Sequence, residues 1–201
     1  MFDLEEGEKA VKIARDVIDR RVKGKSIPQY NTPDIFLEKS GVFTTINTFR
    51  DKRLRGCIGF PEAIFPLIKA LIESAQSAAT SDPRFPPLQK KELKQIVIEV
   101  SLLTPPKLIQ VNDVKDYSKN IEIGKDGLII ESSIFKGLLL PQVPIEWGWN
   151  EEEFLSHTCL KAGLSKDAWL DRSTKIYKFS GEVFQEVEPY GKIVRKELKK
   201  C

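Results

Sequence analysis

Histidine and methionine are nearly absent from this chain, which has His157 as its single histidine and Met1 as its single methionine. A catalytic set of cysteine, histidine and aspartate has one histidine to draw on, and a Cys/His zinc site would need carboxylates to complete it. The three cysteines, Cys57, Cys159 and Cys201, form no CxxC pair and leave an odd one over. We therefore expect a reducing, cytoplasmic compartment, no structural metal and no cofactor.

Long apolar runs are missing as well. No stretch approaches the ~20 apolar residues of a membrane-spanning helix, and residues 1–6 lack the basic and apolar regions of a signal peptide. The 32 basic residues barely exceed the 29 acidic ones, so no strong attraction to nucleic acid is implied. We expect no membrane contact. Lysine, glutamate and isoleucine are abundant, a bias reported for hyperthermophile proteins.

The apolar pattern mixes helices and strands without a strict alternation, which predicts an α+β fold with largely antiparallel sheets. Helices are predicted over about 3–23, 64–80 and 150–163, the first and last opened by the capping boxes Asp3/Glu6 and Asn150/Glu153. Residues 141–149 are predicted to be extended because they contain two prolines. Strands are predicted at 41–49, 53–58, 95–103, 120–123, 127–131 and 137–140, with two more across 174–188 hinged near 180–181.

The most informative stretch is the hexapeptide LRGCIG at residues 54–59. Strand alternation predicts that Leu54, Gly56 and Ile58 share one face, which suits a core. Arg55, Cys57 and Gly59 would share the other face, which fills space poorly and would suit a groove. The fixed positive charge of Arg55 would favour a Cys57 thiolate. Alternatively, Cys57 is a small core residue, and Gly56 and Gly59 permit close packing.

The proline-rich loop at residues 81–88 is a second candidate for the site. Its prolines reduce the entropy lost in holding Asp82 and Arg84 in one arrangement. Such a loop could form a pocket wall that recognises an anion or a carboxylate. Equally, Asp82 caps a turn and Phe85 fills the core.

Polar residues in apolar surroundings add further candidates. Glu99 and Ser101 share one face of the strand at 95–103, where Glu99 needs a partner or an edge position. Arg55 on a neighbouring strand is the candidate partner, and the alternative is that this face is simply solvated. Gln142 and Glu146 are candidates to face a cleft. His157 projects to one side of its helix, so we expect it to be exposed and not paired with Cys57.

Four blocks occurring in order closely resemble the AMMECR domain family, named for the Alport syndrome, midface hypoplasia and elliptocytosis chromosomal region. They lie at residues 54–59, 82–88, 137–143 and 152–164, and the resemblance extends from about residue 4 to 188. It implies an intracellular α+β protein with two subdomains of unequal size, the larger with a five-stranded antiparallel sheet, and the signature near a cleft between them. Mapped onto this chain, the smaller subdomain takes about 40–110 and the larger takes 1–39 with 111–201.

Family membership leaves the function open, since the family's biochemical activity is unestablished. Some members occur fused or adjacent to Memo-type proteins, which resemble non-haem dioxygenases in fold, so a Memo-type partner is an expectation by association. We favour a module whose cleft binds a small anionic molecule, a peptide or a protein. The alternative is a small-molecule enzyme using Cys57 as its nucleophile or redox group. Nucleic-acid binding is the least favoured.

Overall fold

The computed structural model describes residues 2–196. These residues form two units, a larger one of residues 2–103 with 182–196 and a smaller one of residues 104–181. Both combine helices with mainly antiparallel strands, so the predicted α+β class is confirmed. Cys201 lies outside the described residues.

Helix α1, Leu4–Lys23, is built as its sequence predicts. The Asp3 carboxylate accepts a hydrogen bond from the Glu6 N–H at 2.8 Å, and the Glu6 carboxylate accepts one from the Asp3 N–H at 2.8 Å. Gly24 ends the helix with a φ of 69°, a conformation that glycine adopts without strain. Between these two caps, one face of the helix carries apolar residues that are fully buried: Ala10, Val11, Ala14, Val17 and Ile18.

The larger unit contains five strands among its described residues, which is roughly consistent with the predicted five-stranded sheet. The resemblance places that sheet in residues 1–39 with 111–201, however, whereas three of these strands lie within residues 42–103. β1 (Val42–Thr48) pairs antiparallel with both β2 (Leu54–Phe60) and β3 (Ile96–Leu103), which leaves β2 at the edge. β3 neighbours β7 (Lys175–Glu186), whose second half pairs with β8 (Ile193–Lys196). Helix α2 (Leu67–Thr80) packs on β1 and β2, while α1 packs on α2 and β3.

A buried ion pair joins α1 to β7 inside the larger unit. The Arg15 Nε donates to Glu186 Oε1 at 2.9 Å, and both residues are less than a tenth exposed. Arg15 also donates to the Ile96 carbonyl at 2.9 Å, and Glu186 Oε2 accepts from the Ile98 N–H at 3.0 Å. These additional bonds satisfy the buried charges, which would otherwise be strongly unfavourable.

The smaller unit is organised around the hairpin of β5 (Asp126–Ser132) and β6 (Phe135–Leu139). β5 also pairs with the first half of β7, and the short β4 (Lys107–Leu108) pairs with β7 too. Helix α3 (Gln142–Trp147) precedes α4 (Glu151–Lys161), which opens with the predicted capping box and packs on β5 and β6. The core of this unit includes Ile130, Phe154, Leu155, Trp169 and Ile176.

Two local predictions for the smaller unit are wrong. Residues 120–123 are not a strand, because the Asp126 carboxylate accepts a hydrogen bond from the Glu122 N–H at 2.9 Å and closes a turn there. Residues 142–147 form α3 rather than an extended segment. Pro144 is tolerated because it lies in the first turn of the helix, where backbone N–H groups have no partner within the helix.

Strand β7 is continuous, whereas the sequence predicts two strands hinged near residues 180–181. Its pairing partner nevertheless changes near this point, from β5 up to Ser180 to β8 from Val183. The boundary between the units also falls here, after residue 181. This grouping differs from the predicted subdomains, because α1 packs on α2 and β3 and so belongs with residues 40–103. The predicted cleft stays a prediction.

Candidate functional site

The signature hexapeptide forms most of edge strand β2, and a β-bulge interrupts it. Gly56 pairs with Ile46, but the next residue of β1, Asn47, pairs with Leu54, so Arg55 is the extra residue. A bulge breaks the alternation of side chains along its strand. The prediction that Leu54, Gly56 and Ile58 share one face is therefore wrong for Leu54, which pairs with the neighbour of Ile46 and is 39% exposed.

Both signature glycines make close contacts that a side chain would prevent. A β-carbon at Gly56 would lie 2.3 Å from the Ala78 carbonyl oxygen of α2, and one at Gly59 would lie 2.0 Å from the Phe43 ring. Gly56 thus allows the helix to approach the strand, as the packing interpretation predicts, and Gly59 accommodates an aromatic ring from β1. Neither glycine has a described hydrogen bond to a site side chain.

The acid and the arginine of the proline-rich loop hold the outer edge of β2 at Cys57. Asp82 Oδ2 accepts a hydrogen bond from the Cys57 N–H at 2.8 Å, and Arg84 Nη2 donates to the Cys57 carbonyl at 3.1 Å. Arg84 also donates two hydrogen bonds to Asp82, from Nε to Oδ1 at 2.9 Å and from Nη2 to Oδ2 at 2.8 Å. The loop therefore supplies one acceptor and one donor to the same residue, as a neighbouring strand would, and it blocks strand addition at this point.

Asp82 is a poor candidate for a general base. Its side chain is 2% exposed and accepts four hydrogen bonds, from the Cys57 N–H and from the backbone, Nε and Nη2 of Arg84. The bonds from the Arg84 side chain outweigh the effect of burial and hold the pKa of the Asp82 carboxyl well below its usual range. A carboxylate so stabilised in its charged form gains little by accepting a proton.

Arg84 is the central cation of the site. Its side chain is fixed by Asp82 and the Cys57 carbonyl, yet it is 54% exposed. No described residue accepts a hydrogen bond from its Nη1, which leaves two N–H groups available to a ligand. The bond to Asp82 is the main reason that the pKa of Arg84 is raised, and its interaction with the Cys57 thiol acts in the same direction. Arg84, rather than Arg55, is thus the arginine that donates a hydrogen bond to Cys57.

Arg55 is bound by Glu92, a residue that sequence reasoning missed. Its Nε donates to Glu92 Oε1 at 2.8 Å and its Nη2 to Oε2 at 3.2 Å, and the Arg55 side chain is only 14% exposed. Burial alone would raise the pKa of Glu92. The hydrogen bonds from Arg55 and the Gln89 N–H together lower it by more, so the net effect is a lowered pKa. The Phe85 ring lies 6.0 Å from the Arg55 guanidinium and 5.6 Å from that of Arg84, so it contacts both cations.

The Cys57 thiol is half-buried and accepts a hydrogen bond from the Thr45 hydroxyl at 3.3 Å. Thr45 lies directly opposite Cys57 on β1, and the sequence carried no signal that would have singled it out. Cys159, in contrast, is fully buried, and burial raises its pKa to about 11. The two thiols therefore have different environments, one beside polar groups and one in a core.

Glu99 does not pair with Arg55, and that expectation is wrong. Because β1 lies between β2 and β3, Glu99 is separated from the signature by Thr45. Its carboxylate instead accepts a hydrogen bond from Lys196 of β8 at 2.8 Å. Ser101 follows on the same face of β3, opposite Phe43, and is half-buried. Glu99, Ser101, Thr45 and Cys57 are thus distributed across one half-exposed face of the sheet.

Gln142 and Glu146 lie on α3 of the smaller unit, one helical turn apart. Gln142 is half-buried and Glu146 is exposed. His157 is half-buried rather than exposed, because its ring stacks on Trp149 at 3.8 Å. The prediction that Gln142 and Glu146 face a cleft stays a prediction.

Residues 2–196 offer neither a metal site nor a membrane-spanning helix. These residues contain no group of three or more histidine, cysteine or acidic side chains arranged to hold a metal ion. None of their helices has the length and apolar character that crossing a bilayer requires.

Comparison with known proteins agrees with the resemblance seen in the signature blocks. A family model described as AMMECR1 matches residues 11–184. Protein MJ0810 of Methanocaldococcus jannaschii is 56% identical, and the alignment covers 98% of each chain. The crystal structure of an uncharacterized protein, PH0010 from Pyrococcus horikoshii, superposes with a TM-score of 0.80 at 51% identity, covering 96% of this chain and 98% of that one. The chain therefore belongs to the AMMECR1 family.

Proposed function

We propose that this protein binds a ligand at the edge of its signature strand, and that Arg84 holds an anionic group of that ligand. The ligand is a small molecule or a peptide with a carboxylate or phosphate group. One observation carries the proposal. The Arg84 guanidinium is fixed by Asp82 and the Cys57 carbonyl, while its Nη1 faces no described acceptor and over half of the side chain is exposed.

Fixing the guanidinium before the ligand arrives favours binding. A free arginine loses side-chain entropy when it is immobilised by a ligand, whereas Arg84 has already lost much of it. Its Nη1 carries two donors, and an arginine donor to a carboxylate or phosphate forms a strong, charge-assisted hydrogen bond. Asp82 balances the charge on the other side of the guanidinium, so the affinity for a simple anion is expected to be modest.

Binding is favoured over catalysis because the site offers no suitable base. A cysteine nucleophile is normally activated by a neighbouring general base. The carboxyl nearest to Cys57 in the hydrogen-bond network is Asp82, whose lowered pKa makes it a weak base. The group that bonds the sulfur is the Thr45 hydroxyl, which is not basic at neutral pH.

An NMR titration with acetate and with inorganic phosphate tests the proposal. The ¹⁵Nε resonance of Arg84 is followed in the wild type, and the backbone amides of residues 84 and 85 are followed in the wild type and in Arg84→Gln. Arg84→Lys keeps the positive charge but loses the paired N–H donors of the guanidinium, and it serves as a second variant if Arg84→Gln is poorly folded. Arg53→Gln is the matched control, since Arg53 is 80% exposed in the turn before β2 and pairs with Asp51.

The expected result is saturable binding in the millimolar range, as for a single charge-assisted contact. Arg84→Gln should weaken it about tenfold, Arg84→Lys should lie between, and Arg53→Gln should bind like the wild type. Shifts at Arg84 that do not saturate, or saturable binding that Arg84→Gln leaves unchanged, would overturn the proposal.

A second candidate function, a small-molecule enzyme dependent on Cys57, is favoured by one specific observation. The Thr45 hydroxyl donates a hydrogen bond to the Cys57 sulfur at 3.3 Å, and Arg84 donates to the carbonyl of the same residue, so polar groups surround a thiol that is only half-buried. This candidate predicts that iodoacetamide at neutral pH labels Cys57 faster than it labels the cysteines of the unfolded chain. Equal or slower labelling argues against it.

A Memo-type protein partner remains a proposal supported by family association, and a pull-down with wild-type and Arg84→Gln protein tests whether the signature edge is its docking site. Nucleic acid is the least favoured partner, since the net charge is only +3. A cytoplasmic location is supported by the free thiols Cys57 and Cys159, and cell fractionation tests it.

A further inference from the structure

A stack of three aromatic rings ends in solvent on the smaller unit. The centroids of Trp147 and Trp149 are 6.0 Å apart with the rings inclined by 17°, and the rings of Trp149 and His157 are 3.8 Å apart and nearly parallel, at 2°. Trp147, at the outer end, is 70% exposed. Tryptophans usually bury most of their large apolar area, so this exposure is not explained by core packing.

The stack is fixed by the turn between α3 and α4. Gly148 ends α3 in the left-handed conformation, with a φ of 69°, and Asn150 caps α4 through its bond to the Glu153 N–H at 2.9 Å. Trp147 and Trp149 flank this glycine, and His157 comes from the second turn of α4. The caps fix the backbone of the turn, and the stacking on Trp149 positions the Trp147 ring.

A groove runs beside the stack, with a volume of about 350 Å³. Trp149 and Glu151 line it, together with Ile123, Pro144, Ile145, Gly148 and Asn150. Its volume is at the lower end of the range for ligand pockets, which suits one long side chain better than a large cofactor. Its lining combines the apolar side chains of Ile123, Pro144 and Ile145 with polar surface that includes Asn150 and Glu151.

Two acids belong to the segment at the exposed Trp147 end of the stack, whereas Lys115 and Lys166 line a separate pocket at its His157 end. Glu146 precedes Trp147 and is exposed, and Glu151 is half-buried in the groove, and neither has a recorded ion-pair partner within residues 2–196. Glu151 lies in the first turn of α4, where an acid is favoured by the helix dipole. Glu146 lies in the last turn of α3, where that explanation does not apply. The acid next to the exposed indole is therefore not required by the local helix.

We infer that the stack and its groove form a second binding site, which takes an arginine or lysine side chain from a basic segment of a partner protein. The cationic head group lies against the exposed Trp147 indole, where the ring attracts it, and Glu146 and Glu151 balance its charge. Tryptophan on one partner and arginine on the other are among the commonest anchors of protein interfaces. This site lies wholly within the smaller unit, and it is independent of the anion proposed at Arg84.

Titrations with blocked five-residue peptides test the inference on the full chain. One peptide contains two arginines and three glycines, and its two controls replace the arginines by glutamates or by leucines. The indole N–H resonances report binding in the wild type, in Trp147→Ala and in Glu146→Gln. Ile134→Ala is the matched control, because Ile134 is an apolar residue of the same unit that is 89% exposed. Circular dichroism checks that each variant is folded.

The arginine peptide is expected to shift the Trp147 indole resonance, and its affinity should fall about tenfold in Trp147→Ala and about threefold in Glu146→Gln. Ile134→Ala should bind like the wild type, the glutamate peptide should not bind, and added salt should weaken binding. The inference is overturned if the leucine peptide binds as well as the arginine peptide, or if Trp147→Ala leaves binding unchanged. It is also overturned if sedimentation shows a dimer of the wild type that Trp147→Ala, but not Ile134→Ala, converts to a monomer.

Discussion

Replacing Asp82 by alanine tests the role of the loop that caps strand β2. The change removes the acceptor of the Cys57 N–H, and a hydrogen bond to a charged group contributes about 1.5–3 kcal/mol. Arg84 loses its partner but stays half exposed and solvated, so that loss adds at most about 1 kcal/mol. We therefore expect Asp82→Ala to lower the free energy of unfolding by about 2–4 kcal/mol. Asp82→Asn keeps one oxygen for the Cys57 N–H and should lose less.

Urea unfolding followed by circular dichroism measures the global effect, and hydrogen exchange at the Cys57 amide measures the local one. The matched control is Asp51→Ala, which removes an exposed acid that also pairs with an arginine, and which should change stability little.

The folded pKa of Asp82 lies below its unfolded value of about 3.9. Its contribution is therefore complete above about pH 5 and is lost as the pH falls towards the folded pKa.

Two results would refute this reasoning. The first is an Asp82→Ala variant as stable as Asp51→Ala, with unchanged protection of the Cys57 amide. The second is a stability difference between wild type and Asp82→Ala that stays constant from pH 6 down to pH 2, since the difference must shrink if the ionised carboxylate is what stabilises the edge.

Other substitutions test further parts of the account by the same unfolding assay. Gly56→Ala places a β-carbon 2.3 Å from the Ala78 carbonyl oxygen, a backbone atom, so α2 must move and we expect a loss of about 2–3 kcal/mol. Arg15→Met leaves the Glu186 carboxylate buried without its partner and should cost about 3–5 kcal/mol; a loss below about 1 kcal/mol contradicts this. Asn150→Ala removes the cap of α4 and should cost about 1 kcal/mol, with Asn150→Ser close to wild type.

The parts of the fold that sequence predicted well are those with local signals. The spacing of Asp3 to Glu6 and of Asn150 to Glu153 is sufficient for both capping boxes, because each uses atoms within one helical turn. The β1–β2 hairpin and β3 were predicted from their apolar β-branched residues. Helix α3 is not predicted from its sequence because two prolines ordinarily argue against a helix, although the first turn of a helix accommodates proline.

The sequence identifies most residues of the site, but it does not predict which of them contact one another. Arg55, Cys57, Asp82 and Arg84 were singled out from residue type and local context, and Asp82, Arg84 and Cys57 are indeed brought together. The partner of Arg55 could not be predicted, because it depends on which strands are neighbours and on a bulge that has no sequence signal here. The sequence also does not predict that Trp147 is exposed, because a tryptophan in an apolar stretch ordinarily fills a core.

The central claim is that Arg84 attracts an anionic group to the Cys57 edge, and alkylation of Cys57 by two reagents tests it most directly. Iodoacetate and iodoacetamide attack the same thiolate but differ in charge, so the ratio of their rates is independent of the thiolate fraction. In a Cys201→Ser background the buried Cys159, whose pKa is raised to about 11, should stay unlabelled. We predict that the ratio of iodoacetate to iodoacetamide rates is about threefold higher in the wild type than in Arg84→Gln. An equal ratio in the two proteins would contradict the claim.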